Sequence, residues 1–287
     1  MTMLGFIGLG TMGESMSENL INKSGHSVVV YDINQSQVNK MVELGAEKGT
    51  SITDIGNKSD IIFIMVPRSE HVKSVIQELL PELKEGKIVI DMSTIDVSMS
   101  KEVAGMVKET GADFLDAPVV KSKPAAISGE LGIYVGGSEQ SYHLVKPLLS
   151  CMGKGIIHLG ENGRGISMKI AHNMLVGQIQ NGVNEMLVLT EKAGIAIDDV
   201  VEAISYGGGQ NFYLDSKKDT IKDQDFTPKF SFENMNKDIG LALTMAKELG
   251  IQLPGAELIK DVYAKGMESE LGTEDFSASI KVVKENA

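Results

Sequence analysis

Gly165, Lys169, Asn173, Gly177 and Asn181 recur every fourth residue in the stretch that begins Gly163-Arg164-Gly165-Ile166-Ser167-Met168-Lys169. On a helix this spacing gathers them on one slowly drifting face. Met168, Ile170, Met174, Leu175, Val176 and Ile179 fill other positions, so the pattern predicts a mostly buried helix with a polar, small-residue stripe. An ammonium in such a stripe is costly to bury without a partner. The glycines let another molecule come close, and Asn173 sets a neutral donor–acceptor pair beside the amine. The chemistry that suits this set is general acid/base catalysis on a bound molecule, with Lys169 moving the proton. A free lysine has a pKa of about 10.4, so desolvation or positive neighbours must lower it for work near neutral pH.

A second group of residues is suited to binding. Gly5-Phe6-Ile7-Gly8-Leu9-Gly10-Thr11-Met12-Gly13 holds the pattern Gly8-x-Gly10-x-x-Gly13 between a strand-like run and a helical one. The first glycine allows a tight turn, the second lets a pyrophosphate lie against the backbone, and the third lets helix pack on strand. The pyrophosphate then meets the positive end of a helix. The spacing alone is weak in a chain with 31 glycines. Its context strengthens it, because the next strand ends in Val30-Tyr31-Asp32, where an acid can accept the ribose 2′-hydroxyl. Asp32 repels a 2′-phosphate and Ile33-Asn34-Gln35 offers no arginine, so NAD (NADH) is favoured over NADP. Ser36 and Lys40 leave room for some NADP use. Val66-Pro67 and Ser93-Thr94 end two further apolar runs, where open α/β sheets bind ligands. Ser93-Thr94 also fits a second reading, as the cap of the helical stretch that follows.

The elements that must position these groups are legible as alternation. Strand-like runs at 4–8, 27–31, 61–66, 88–91, 114–116, 132–135 and 156–158 are interleaved with amphipathic stretches at 13–22, 35–44, 70–80 and 98–108. This predicts an α/β, Rossmann-type doubly wound parallel sheet covered on both faces. Past Gly165 the strands stop. Helical periods run to about Ala193 and continue at 198–205, 232–249 and 256–266. The expected division is a dinucleotide-binding domain over 1–162 and an all-α domain over 163–287, opened by a long interdomain helix. A cleft where the two meet would hold Lys169. The segment 226–232, rich in phenylalanine, is expected to form an apolar surface reaching towards a second subunit.

Composition narrows the function. The chain has 287 residues and a net charge of -12 with its acidic residues spread along the chain, which disfavours nucleic acid and anionic membranes. No run reaches the ~18 apolar residues of a membrane span, and the N-terminus lacks a signal-peptide pattern. Cys151 is the one cysteine, so no intrachain disulfide forms and a cytoplasmic location is expected. It ends an amphipathic stretch and reads as a small buried hydrophobe. No histidine–carboxylate cluster has metal-ligand spacing, so no metal is expected.

Together these motifs resemble the β-hydroxyacid dehydrogenase family, whose members include 3-hydroxyisobutyrate dehydrogenase, tartronate semialdehyde reductase and succinic semialdehyde reductases. The resemblance covers nearly the whole chain. Residues 8–13 are similar to the family's cofactor signature, and Asp116-Ala117-Pro118-Val119 to the start of its substrate signature. Residues 165–173 are similar to its catalytic signature, and Asn236-Lys237-Asp238-Ile239-Gly240-Leu241-Ala242 to its C-terminal Lys-Asp motif. The resemblance implies that Lys169 is the acid/base, that Asn173 orients substrate, and that Thr94 and Lys237 touch cofactor, beside Val66 and Pro67. It implies a small anionic substrate and a homodimer or homotetramer. His172 is either a support behind these groups or a satisfied histidine beside them. A non-catalytic dinucleotide-binding module and imine reduction are the competing classes, and the intact Lys169–Asn173 pair argues against both. The much larger helical domain of 6-phosphogluconate dehydrogenases argues against that activity.

One stretch departs from the family. Where most members continue Asp-Ala-Pro-Val with Ser-Gly-Gly, this chain has Val120-Lys121-Ser122-Lys123. The basic-then-hydroxyl order is similar to the 3-sulfolactaldehyde reductase subgroup, as is Gly165-Ile166 ahead of the lysine. The expected substrate-binding set is Ser93, Val120, Lys121, Ser122, Lys169 and Asn173. A sulfonate needs more donors than a planar carboxylate, and Lys121 with Ser122 would supply them. If Lys121 and Lys123 are only solvated loop lysines, the substrate is an ordinary carboxylate.

Overall fold

Leu4, Gly5, Phe6 and Ile7 are all buried, because β1 (Met3–Ile7) takes the middle of a sheet covered on both faces. The computed structural model describes residues 2–285, which form two units that part between Lys169 and Ile170. In the first unit β1 is followed by α1 (Gly13–Lys23), β2 (Ser27–Tyr31), α2 (Gln35–Glu43), β3 (Glu47–Lys48), α3 (Ile52–Lys58) and β4 (Ile61–Ile64). Next come α4 (Ser69–Leu79), β5 (Ile88–Asp91), α5 (Val97–Glu109), β6 (Asp113–Asp116) and β7 (Val119–Val120). The unit continues with α6 (Lys123–Ser128), β8 (Leu131–Gly137), α7 (Glu139–Leu149), β9 (Gly153–His158) and the start of α8 (Arg164–Lys192).

The strand order β3-β2-β1-β4-β5-β6 is wholly parallel and reverses direction of growth at β1, the doubly wound pattern. Beyond β6 the sheet turns: β8 runs antiparallel to β6 and β7, and β9 pairs parallel to β8. Alternate residues feed two separate cores. Phe6, Val30, Phe63 and Ile90 pack with Met16, Leu20 and Leu149 on one face. Ile7, Val29, Ile62, Ile64 and Val89 pack with Val72, Ile76 and Val103 on the other. Both faces being covered is why these strands read as continuous apolar runs.

The second unit is helical: the rest of α8, then α9 (Ile197–Ser205), α10 (Phe212–Lys222), α11 (Phe232–Glu248), α12 (Pro254–Glu268) and α13 (Ser279–Glu285). Its core joins Val183 and Leu187 to Tyr213, Phe232, Met235, Ile239, Ile259, Tyr263 and Ile280. The segment 226–232 is not the exposed aromatic surface expected of it. Phe232 is fully buried with its ring centroid 4.4 Å from that of Tyr263, and Phe230 meets Phe276 edge-on at 5.8 Å. Phe226 lies beneath the Lys281 ammonium, 4.6 Å from its ring centroid.

The expectation for α8 is also corrected. Met168 and Leu175 are 41% and 54% exposed, so the apolar residues do not bury the helix all round. The buried side carries the polar stripe, Gly165, Lys169, Asn173 and Gly177 continued by Gln180 and Asn184 rather than by half-buried Asn181, together with Ile166, Ile170, Val183, Leu187 and Val188. A helix packed on one side buries about a third of its circumference, and here small and polar residues share that side with aliphatic ones.

Candidate active site

The glycine loop between β1 and α1 divides its glycines by task. Gly8 has φ +96°, and a Cβ there would lie 2.2 Å from the Met65 carbonyl oxygen. A Cβ on Gly13 would lie 2.0 Å from the Gly8 carbonyl oxygen. These two positions are closed by the protein's own backbone. Gly10, by contrast, is exposed and its Cβ position has no atom within 4 Å, so that space is open to a ligand. Leu9 is fully buried, Thr11 exposed and Met12 half-buried, and Met12 contributes no side-chain cap to α1. The Glu14 N–H is taken by the Gly10 carbonyl at 3.0 Å, but the helix start has no side-chain cap, and it and the open Gly10 surface fit a pyrophosphate.

Asp32, just past β2, accepts the Leu9 N–H at 2.6 Å with one oxygen and the Asn34 N–H at 2.7 Å with the other. The carboxylate is thereby fixed beside the glycine loop and half-buried. Ile33 is 90% exposed and brings no charge. Ser36 donates to Asn34 at 2.9 Å, and Lys40 pairs with Glu14 at 3.7 Å, so both already have partners.

The ends of β4 and β5 are tied to one another. The Ser93 hydroxyl, 2% exposed, accepts the Val66 N–H at 3.0 Å, and the Ser93 N–H donates to Asp91 at 3.0 Å. Ser93 and Thr94 are not the cap of α5. Asp96 is, accepting the N–H groups of Ser98 and Met99 at 2.8 and 3.2 Å. Pro67 is exposed and Thr94 half-buried, each at the end of its strand.

Asp116, 1% exposed, closes β6 and accepts the Gly163 N–H at 2.8 Å and the Ile166 N–H at 2.9 Å. It therefore caps α8 from across the sequence. Burial pushes its carboxyl up from the ordinary value, and the hydrogen bonds from Gly163, Ile166 and Asn162 work against that rise. Lys169, one turn beyond Gly165, is 6% exposed. Within the second unit Asn173, also 6% exposed, donates to Asp238 at 2.5 Å. The other oxygen of Asp238 lies 3.4 Å from the Lys237 ammonium. His172 is half-buried.

In the stretch 119–123, Val120 is buried in β7 opposite Gly132. Lys121 is exposed with φ 77°, a left-handed backbone that a non-glycine residue seldom takes. Ser122 is half-buried at the head of α6 and makes no capping hydrogen bond there. Glu130 is held below the usual carboxylate range by the hydrogen bond and charge of Lys154, with Lys121 adding to the effect. Asp116 and Asp238 had no assigned task in the sequence, although each stands inside a motif visible there.

Residues 3–160 match the family described as the NAD binding domain of 6-phosphogluconate dehydrogenase. Residues 163–283 match the one described as NAD-binding of NADP-dependent 3-hydroxyisobutyrate dehydrogenase. The chain is similar to the 2-(hydroxymethyl)glutarate dehydrogenase of Eubacterium barkeri, 35% identical over 283 residues, covering 97% of this chain and 94% of that one. It is similar to the 2-hydroxy-3-oxopropionate reductase of Escherichia coli (strain K12), 35% identical over 263 residues, with 91% and 89% covered. Among solved structures it matches a 3-hydroxyisobutyrate dehydrogenase of Mycobacterium tuberculosis with L-serine, with TM-score 0.93, 30% identity and 99% of each chain covered.

Proposed function

The chain belongs to the β-hydroxyacid dehydrogenase family, nicotinamide-dependent oxidoreductases of CH–OH groups, and we propose that Lys169 is its proton-moving residue. The substrate pair is a short 3-hydroxy acid, or its sulfonate analogue, and the matching semialdehyde. NAD(H) is the preferred cofactor, because fixed and anionic Asp32 suits a ribose 2′-hydroxyl and repels a 2′-phosphate. Bound nicotinamide supplies the hydride donor or acceptor. Gly8 to Gly13, Asp32, Val66, Pro67, Thr94 and Lys237 are the residues that would hold it.

In reduction the Lys169 ammonium gives a proton to the aldehyde oxygen as negative charge grows there; in oxidation the neutral amine takes the hydroxyl proton. Burial disfavours the charged form and so poises the amine for both roles. Asn173, held by Asp238, orients the oxygen that receives the proton. Lys169 itself carries this reading: a lysine 6% exposed, on the helix face that Asn173 shares. Replacing it with alanine is expected to abolish turnover while NADH binding, followed by fluorescence, stays within about twofold. Unchanged turnover would end the proposal.

For the anion we favour a sulfonate, with 3-sulfolactaldehyde as the specific candidate, because Lys121 and Ser122 add an ammonium and an uncommitted cap hydroxyl. A second reading is favoured by the Eubacterium barkeri relative, named for a dicarboxylate, since an extra cation also suits a second carboxylate. A panel of sulfolactaldehyde, 2-formylglutarate and succinic, methylmalonic and tartronic semialdehydes with NADH and NADPH separates these. A kcat/KM for sulfolactaldehyde no higher than for the carboxylates sinks the sulfonate assignment. Leu175 and Leu189, 54% and 70% exposed on α8, support assembly as a homo-oligomer, which light scattering reads directly. The single buried cysteine suits a reducing cytoplasm.

A further inference from the structure

We propose that Asp116 is a positioning residue for Lys169: its carboxylate clamps the first turn of α8 and sets both where the lysine is held and how readily it is charged. This rests on Lys169 as the proton-moving group.

The clamp is built from contacts across about fifty residues of sequence. Two amides at the start of α8, those of Gly163 and Ile166, have no carbonyl of their own to bond, and each donates to a different oxygen of Asp116. The Asn162 side chain adds a third tie, donating to the Phe114 carbonyl at 2.8 Å. The fit around them leaves no slack. A Cβ on Gly165 would lie 2.5 Å from the Tyr134 carbonyl oxygen and 2.6 Å from that of Asp116. A Cβ on Gly136 would lie 2.6 Å from the Asp116 carboxylate. With its first turn bonded and wedged against β6 and β8, α8 can neither slide nor roll at this end.

Lys169 inherits that fixed position. It stands one turn past Gly165, about 6 Å along the axis at 1.5 Å per residue, on the same face. The charge matters as well as the geometry. The N–H bonds that both oxygens accept at a helix N-terminus favour the carboxylate and oppose the rise that burial causes. A buried anion near the lysine favours the ammonium and offsets part of its desolvation. The groups facing Asp116 are the Asn162 amide, the two N–H donors, Glu161 through its carbonyl oxygen at Gly136, and Asp91, its register partner on β5. The Lys101 stem lies against Gly163.

Asp116→Asn keeps the size, removes the charge and turns an N–H towards an N–H. We expect kcat per NADH-binding site to fall about 10- to 100-fold while the KM for aldehyde moves less. The limb of the pH–kcat profile that reports Lys169 should shift to lower pH, by about one unit. Ser138→Ala, which removes the ordinary cap of α7 in the same unit, serves as control. It should lower Tm and leave kcat and the pH limb alone. If Asp116→Asn keeps wild-type kcat per binding site and the same pH limb, the inference is overturned. Should that variant not fold, Asn162→Ala loosens the same helix start. It is expected to lower kcat several-fold with NADH binding kept, and unchanged kcat overturns the inference equally. An active Lys169→Ala would instead sink the proton-moving reading. An inactive Lys169→Ala beside a fully active Asp116→Asn would sink only the clamp.

Discussion

Asn173 on α8 donates its side-chain N–H to the carboxylate of Asp238 on α11 at 2.5 Å, with both groups buried. The bond fixes which way round the amide sits, because its nitrogen must face the carboxylate. The ammonium of Lys237, the neighbour of Asp238 in sequence, lies 3.4 Å from the other carboxylate oxygen as an ion pair. Asn173 and the neighbours Asp238 and Lys237, far apart in the chain, are thus linked by one hydrogen bond and one ion pair within the helical unit.

Asp238→Asn is therefore expected to damage catalysis more than its small size change suggests. A buried charged hydrogen bond is worth about 1.5–3 kcal/mol, which corresponds to roughly 10- to 150-fold in rate if it is needed to hold Asn173. Steady-state kinetics beside thermal melts should show a large loss of kcat with a modest fall in Tm. Wild-type kcat would mean that Asn173 does not depend on this anchor.

The glycine loop offers a sharper contrast. Gly13→Ala forces a methyl to 2.0 Å from the Gly8 carbonyl oxygen, so it should destabilise the fold by at least about 1–3 kcal/mol. Gly10→Ala meets no protein atom within 4 Å, so Tm should hold. NADH affinity should nevertheless fall at least about tenfold, or 1.4 kcal/mol, because the methyl fills the space left for pyrophosphate. Equal affinity in Gly10→Ala would mean that the dinucleotide does not lie on this backbone.

These two cases mark what was legible in the sequence. The glycine loop, Asp32 and the Lys169 stripe are local patterns whose spacing reports the element that carries them. Asp116 with Ile166 and Asn173 with Asp238 join residues 50 and 65 apart, and no local period records such pairs. The two-residue strands β3 and β7 are too short to show alternation. Helix α10 escaped because Lys217 occupies one of its four buried positions, so its apolar period is broken by a charge. The aromatic run at 226–232 reads as surface in the sequence because composition cannot tell a ring that covers a core from one that awaits a partner.

Lys121 tests whether a strained residue is kept for function. A left-handed backbone costs an ordinary L-residue roughly 1–2 kcal/mol, which glycine does not pay. Lys121→Gly should therefore leave Tm unchanged or raise it slightly, despite glycine's greater freedom when unfolded. If the ammonium holds the substrate anion, the KM for that substrate should rise about tenfold or more, the effect of losing a charged hydrogen bond. A variant both more stable and kinetically normal would make Lys121 a loop residue and return the substrate to a simple carboxylate.

The last prediction concerns stability against pH in the helical unit, where Lys217 donates to both oxygens of Asp275 at 2.8 Å with both side chains buried. Burial alone would raise the Asp275 carboxyl. The bonds from Lys217 and Ser277 outweigh it and hold the group below its ordinary 3.8. A carboxylate depressed in the folded state adds stability that is present above its unfolded pKa and is lost as pH falls through the folded value. Wild-type protein should thus weaken as pH drops below about 4. Lys217→Met removes the partner and leaves a buried anion, a change that costs about 3–5 kcal/mol at neutral pH. Burial then acts without opposition from the lysine, so the carboxyl rises above its unfolded value. The sign of the dependence reverses: the variant should recover stability as pH falls from 7 towards 5, where wild type gains nothing from this pair. Urea melts of both proteins at pH 7, 6 and 5 read the two slopes directly. Parallel slopes would show that Asp275 stays ionised without Lys217, and that the backbone and Ser277 donors suffice to hold it.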